Sequence, residues 1–351
     1  MDHRLAELND WLIKSLSLNV DSIEPASEDA SFRRYFRVTI SGTSTPSTYI
    51  AMDAPPAQES LSEFIVVDQA LALHRLHTPK IFFANIEKGF LLLEDLGNRT
   101  YLNELCDNSN ILYNDAINAL VSLQSLEKSN IGGFLSPKNR AETDLLSTEF
   151  ETYIPPRYDQ NLIEQELDLF VTWYCERHLN ITLSSQQLAV WAELKQHLID
   201  VFNQQPQAWV HRDYHSRNLM ITNDNSPGII DFQDMVWGPI SYDVVSLFKD
   251  CYIEWPRTIQ LNWLATYHTK YTSQNEVENV EFEQLVRWFD LTGLQRHLKV
   301  LGIFCRLNYR DNKSHYLLDL PLVEKYVQEV LDIYPELNSF KQIFLSVSQN
   351  K

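Results

Sequence analysis

Two aspartates carry the chemistry most readily read from this chain. Asp213 stands in His211-Arg212-Asp213-Tyr214-His215-Ser216-Arg217-Asn218, and Asp231 follows thirteen residues beyond Asn218 in Ile229-Ile230-Asp231-Phe232. A carboxylate in such a loop can accept the proton of an attacking hydroxyl. A second carboxylate and an amide oxygen are hard ligands of the kind magnesium takes when it also binds phosphates. Taken singly, each residue is ordinary: aspartates populate turns, and an asparagine after a loop is usually a cap. Jointly, His-x-Asp, an Asn five residues after that Asp, and an Ile-Ile-Asp beyond a hairpin form a specific pattern. It points to metal-assisted phosphoryl transfer.

The neighbouring sequence supplies the elements that must position these groups. Ala208-Trp209-Val210 reads as a short buried strand delivering Asp213 to its loop. Leu219-Met220-Ile221 and Gly228-Ile229-Ile230 read as the arms of a hairpin around the polar turn Asn223–Pro227, which returns Asp231 toward the loop. Upstream, Leu5, Leu8, Leu12 and Leu16 recur at helical spacing. A strand is expected within Ala30–Ile40, a turn over Ser41–Pro46, and a return strand over Thr48–Met52. A helix follows within Glu59–His77, and Ile81–Phe83 and Phe90–Leu93 read as strands around the turn Glu87-Lys88-Gly89. Gly97 breaks the pattern, which places a boundary near Leu93–Gly97; an ordinary strand-to-helix connection would read the same way. Beyond it the chain turns helical, with helices expected over about 109–127, 163–179, 185–203, 241–250, 256–272, 281–309 and 321–334. Gln342–Lys351 carries no signal of its own.

Composition narrows the class. The chain has 351 residues, 44% of them hydrophobic and 12% aromatic, which suits a globular protein of about two domains. Its net charge of −18 argues against nucleic acid as a partner, since phosphate backbones need a basic face. Cys106, Cys175, Cys251 and Cys305 are widely spaced and form no CxxC pair, so reduced thiols are expected rather than zinc or a disulfide framework. No signal peptide is apparent after Met1, and no apolar run reaches membrane-span length. These features favour a cytoplasmic protein.

The motifs resemble those of the aminoglycoside phosphotransferase and choline kinase group. The likeness runs nearly the whole chain and rests chiefly on the Asp213 loop and on Ile229-Ile230-Asp231-Phe232-Gln233-Asp234. Within that group the chain looks most like bacterial kinases of the anomeric hydroxyl of N-acetylmuramate and N-acetylglucosamine. Met52-Asp53-Ala54-Pro55-Pro56, Leu92–Gly97, Gly238–Asp243, Cys251–Pro256 and His297–Gly302 carry that closer likeness. The resemblance implies a bilobal, protein-kinase-like α+β fold: a small β-rich N-terminal lobe (1–95) that binds nucleotide and a larger, mainly helical C-terminal lobe (96–351).

It also implies roles. Asp213 is the expected catalytic residue, with Asn218 and Asp231 on Mg²⁺ and His211 and Asp243 bracing the loop; Asp243 would serve equally as a helix cap. ATP is the expected co-substrate, with its adenine read by backbone groups near Glu94 and Leu96. One departure stands out: the strand Tyr49–Asp53 lacks the lysine that grips phosphates in kinase-like folds. Arg33 and Arg34 are candidates for that charge, with Glu59 or Glu63 as the helix carboxylate. For the amino sugar, Gln233, Asp234, Trp237, Arg306 and Arg310 are candidates. Arg296, His297 and Lys299 share one helical stretch with the last two and suit either a carboxylate or solvent. Trp237, Tyr252 and Trp255 could stack on a ring or fill a core. A polycationic acceptor such as an aminoglycoside would want converging carboxylates, for which Asp250 and Glu254 are available. A nucleotide-binding protein without turnover would also fit the missing lysine.

Overall fold

A computed structural model describes residues 2–27, 32–42, 48–128, 155–275 and 280–348. Most of the turn expected at Ser41–Pro46, and the Ala30–Ser31 start of the strand expected before it, lie outside them. The chain forms two compact units, each assembled from more than one stretch.

The first unit takes in Met1–Arg99 and Leu219–Asp234. Its centre is a five-stranded antiparallel sheet in the order β1-β2-β3-β5-β4: β1 (Val20–Ser27), β2 (Arg34–Ile40), β3 (Thr48–Asp53), β4 (Ile81–Asn85) and β5 (Phe90–Glu94). Period-two alternation sends Phe36, Val38 and Ile40 of β2 to one face, and the register aligns Phe36 with Ala51 and Ala51 with Leu92. These side chains meet Leu8, Trp11 and Leu12 of the opening helix α1 (His3–Asp10) and the π-helical turn that extends it. Asp53, wholly buried at the end of β3, accepts from Arg4 of α1 and Arg34 of β2, with each Nε at 3.1 Å. The helix α2 (Leu61–Leu73) is buried almost all round, capped at its start by Ser60. A short hairpin, β7 (Leu219–Met220) with β8 (Gly228–Ile229), bonds back to this unit through Ile221 N–H to Arg99 O and Ile229 N–H to His77 O.

The second unit takes in Thr100–Glu127, Pro156–Asn218 and Met235–Lys351. It is mainly helical: α3 (Tyr101–Gln124), α4 (Gln160–Leu169, running on as a π-helix to His178), α5 (Ser185–Gln204), α6 (Ser241–Phe248), α7 (Arg257–Asn275), α8 (Phe282–Asp311), α9 (Leu320–Ile333) and α10 (Asn338–Ser348). One two-stranded ribbon, β6 (Gln207–Val210) with β9 (Val236–Pro239), leads into and out of the Asp213 region. The α+β class read from the sequence is the class observed.

Three elements differ from expectation. β1 was not anticipated, because Pro25 and the acidic Asp21 and Glu24 mask its alternation; it pairs with β2 through two register irregularities. The helix α3 begins at Tyr101 rather than near 109, anchored by the buried Tyr101 and Leu105. Residues 338–348, which carried no signal, form α10, whose Phe340 and Phe344 pack against Phe170. Cys175, Cys251 and Cys305 are buried and not in disulfides.

The long helix α8 lies close on α4 because Gly302 has no side chain. A Cβ there would stand 2.4 Å from the carbonyl carbon and 2.5 Å from the oxygen of Leu169. The neighbour is backbone and cannot rotate away, so Gly302→Ala forces the helices apart. The expected cost is about 1–3 kcal/mol, read as a lower denaturation midpoint with an unchanged denaturant slope.

Candidate active site

The strand β6 ends at Val210, and the chain enters a loop whose backbone is held at both ends by aspartates of one helix region. Asp243, in the first turn of α6, accepts the N–H of His211 (2.6 Å) and of Arg212 (3.0 Å) on its two oxygens. Arg212 needs that support, since its φ of 76° is left-handed, which any residue carrying a Cβ disfavours. Burial pushes the Asp243 carboxyl up to about 7, against the two N–H bonds, which favour its ionised form. Asp250, just past α6, accepts the N–H of Ser216 (3.0 Å) and its hydroxyl, and turns its other oxygen to the N–H of Tyr252 (3.0 Å). Within the loop, His215 N–H and the Asn218 side-chain amide both donate to Asp213 O, at 2.9 and 3.0 Å. His211 is buried and accepts the N–H of Asp213 on Nδ1 (3.3 Å).

Around Asp213 the charges are positive. Burial alone would raise its carboxyl, but Lys299, then His215, Arg212 and Arg296, bring it down to about 2. It is therefore ionised across the working range. These cations are themselves fixed. Glu166 of α4 accepts from Arg212 (2.7 Å), Lys299 (2.8 Å), Gln295 (3.1 Å) and the Tyr158 hydroxyl. Arg296 donates to the Ser246 hydroxyl (2.7 Å) and reaches Cys251 Sγ (3.4 Å). Arg296, His297 and Lys299, read from sequence as suited to solvent or a ligand, are buried struts of the loop.

Asp231 lies in the first unit, two residues past β8. It too has a left-handed backbone, φ 63°, and Gln233 donates to its Oδ1 at 2.8 Å. Gln233 also reaches Asp234 at 3.3 Å. Phe232 packs its ring 4.8 Å from Phe64 of α2. In the same unit Arg33 is buried and paired with Glu59 at 2.8 Å. Burial raises the nearby Glu63 carboxyl, Arg33 opposes that, and the charge of Asp234 adds to it. Arg34 is instead paired with Asp53 and Asp2. Glu94 ends β5 with its N–H on Lys80 O (2.8 Å), and a Cβ at Gly228 would lie 2.8 Å from Leu96 Cδ1, so Leu96 packs on the hairpin.

The remaining expected sugar contacts are placed as follows. Trp237 stands opposite Trp209 in the ribbon, ring to ring at 5.1 Å, edge on. Arg310 is exposed and bidentate on Asp311 (2.8 and 2.9 Å), and Arg306 feels Arg310 and Asp311 as its main charges. Neither arginine is among the groups that act most on Asp213. Sequence reasoning missed Glu166. Apart from Tyr158, its partners are 46 or more residues away, on the Asp213 loop and on α8, so nothing local marked it.

Among the described residues no three His, Cys, Asp or Glu side chains cluster as a metal site. Magnesium needs none, since it takes one or two protein oxygens and completes its shell from phosphates and water. Asn218 fits such a role, because its nitrogen is spent on Asp213 O and the other end of its amide is a hard oxygen.

The loop thus holds one aspartate ionised and, five residues on, an asparagine whose amide nitrogen is bonded back to it. Residues 22–280 match the phosphotransferase enzyme family, and the chain belongs to it. Over 347 residues it is 40% identical to the N-acetylmuramate/N-acetylglucosamine kinase of Pseudomonas putida, covering 96% of this chain and 94% of that protein. It is 34% identical to the protein of the same name from Neisseria meningitidis serogroup B, covering 95% and 93%. Among solved structures it is similar to an ADP-bound aminoglycoside phosphotransferase, APH(2'')-Ib (16% identity, TM-score 0.53, 93% and 97% covered). It is also similar to the choline kinase LicA from Streptococcus pneumoniae (12%, 0.57, 92% and 98%). The fold is thus the kinase-like one of that group.

Removing Glu166 strands Arg212 and Lys299 in the interior without a counter-charge. Glu166→Ala is expected to cost about 3–5 kcal/mol of stability, measured by denaturant unfolding. Burial works against the Glu166 charge, but Lys299 and Arg212 hold its carboxyl below the ordinary 4.5. The stability it contributes is present above pH 4.5 and lost as pH falls through the lower folded value. The gap in melting temperature between wild type and Glu166→Gln should therefore narrow as pH drops below 4.5.

Proposed function

We propose that the protein transfers the γ-phosphoryl group of ATP to the anomeric hydroxyl of N-acetylmuramate and N-acetylglucosamine, giving the sugar 1-phosphates and ADP. The observation that carries this reading is the ionised, cation-surrounded Asp213 in a chain that matches kinases of these two sugars over nearly its full length. Asp213 orients the hydroxyl and takes its proton. The hydroxyl oxygen forms a bond to the γ-phosphorus as the bond to the bridging oxygen of ADP breaks. Asn218 and Asp231 would hold the magnesium, which when bound neutralises charge on the phosphates. Gln233 orients Asp231 through its hydrogen bond, and Asp243 and Asp250 keep the loop in register.

A polycationic acceptor is less well served. Asp250 is buried on Ser216, and Glu254 is paired with Lys325, so the two carboxylates that might converge on it are committed. For the phosphates, Arg33 is the better candidate of the two arginines. Its partner Glu59 immediately precedes the cap of α2, and its field reaches Glu63, which also feels Asp234 of the Asp231 segment. Arg34 belongs to the Asp53 pairing at the edge of the sheet.

Magnesium-dependent formation of sugar 1-phosphate, followed by phosphorus NMR with both sugars and an aminoglycoside panel, tests the reading. Asp213→Asn should lower kcat by about 10²–10⁴-fold while nucleotide binding persists. Nucleotide binding by the wild type with no turnover of either sugar would overturn the proposal. Arg33→Ala should raise the KM for ATP, whereas Arg34→Ala should lower the melting temperature and leave that KM within about threefold, a difference of under 1 kcal/mol.

A further inference from the structure

The cations grouped about the Asp213 loop are not equally employed. Arg212 and Lys299 are spent on Glu166, and Arg296 on Ser246 and Cys251. Arg217, the residue before Asn218, differs. Among the described residues it has no ion pair and no hydrogen bond to a carboxylate; its guanidinium carbon lies over the Tyr252 ring, 3.5 Å from the centroid. Tyr252 is itself fixed: its N–H is held by Asp250, its ring is stacked on Phe304 of α8 at 6.2 Å, and His215 packs edge-on at 5.4 Å. His215 Nδ1, buried on this side of the loop, has no hydrogen-bond partner among the described residues. Asp319 is near enough to feel the Arg217 charge without pairing with it. An arginine laid on an aromatic ring is held in orientation while its N–H edge stays available, which suits bidentate recognition of a planar anion.

We propose that Arg217, seated on Tyr252, is the specificity residue that receives the lactyl carboxylate of N-acetylmuramate. The inference rests on the amino-sugar reading above. The two sugars differ by one group, a lactyl ether on the third ring carbon, two carbons from the reacting anomeric centre. A cation that recognises it must therefore stand beside the catalytic loop, four residues from Asp213 in this chain, rather than further along α8. The carboxylate takes the place of water on a guanidinium already oriented, so little side-chain freedom is lost on binding. N-acetylglucosamine lacks the carboxylate and makes no such contact.

Steady-state kinetics of the full chain with both sugars test this. Arg217→Ala should lower the ratio of kcat/KM for N-acetylmuramate over N-acetylglucosamine by about 10- to 100-fold, as loss of a charged hydrogen bond predicts. The effect should fall on KM rather than kcat. Arg217→Lys should recover part of the ratio, and the amide of the lactyl carboxyl should behave as a substrate nearly indifferent to Arg217→Ala. An equal loss on both sugars would assign Arg217 to the phosphoryl group and overturn the proposal, as would an unchanged ratio. A wild type that phosphorylates N-acetylglucosamine but not N-acetylmuramate overturns this inference alone. A wild type inactive on both overturns the amino-sugar reading with it. Arg217→Gln, which keeps the stem over Tyr252, provides the same ratio if the alanine variant is poorly folded.

Discussion

The conformation of the Asp213 loop depends on one buried carboxylate. Asp243 binds the backbone N–H groups of His211 and Arg212 and so holds Arg212 in a left-handed conformation that the residue would not choose. The same short helix ends near Asp250, which grips Ser216 at the other end of the loop. Two aspartates seven residues apart thus clamp a six-residue span between them. The clamp is expensive in desolvation and worthwhile only because each oxygen meets a donor.

Around the clamp the protein concentrates positive charge in its interior although the chain as a whole carries −18. Glu166 makes this possible. With four donors on one carboxylate it ties α4 and α8 to the loop and keeps Arg212 and Lys299 ionised and still. The cations in turn keep Asp213 a carboxylate. Fixed charges of this kind need no rearrangement as reaction proceeds, which is what makes them useful.

How much of this was legible depended on sequence distance. The loop, the hairpin after it and the α+β division could be read because their signals are local: residue types at fixed spacing, and alternation switching to helical period. β1 was hidden by Pro25, and α10 by a tail without a boundary signal. The polar positions of α8 gave their types but not their orientation, so the burial of Lys299 and Arg296 beside the loop could not be read. Glu166 was invisible for the same reason. A lone glutamate in an amphipathic helix has no mark of burial until its charged partners, Arg212 and Lys299, 46 and 133 positions away, are folded onto it. Arg217 sat in plain view within the loop motif, but its stacking on Tyr252 is a tertiary fact.

The low proton affinity of Asp213 has a consequence for timing. A carboxyl near 2 is a feeble base toward a neutral alcohol, so a resting hydroxyl keeps its proton. Only when the oxygen has begun to share electrons with phosphorus does it become acidic enough to give that proton up. In a loose transition state that moment comes late. On the proposed function, the aspartate is thus a compass before it is a base: it would set the direction of the acceptor hydroxyl first and receive the proton only once the bond to phosphorus is forming.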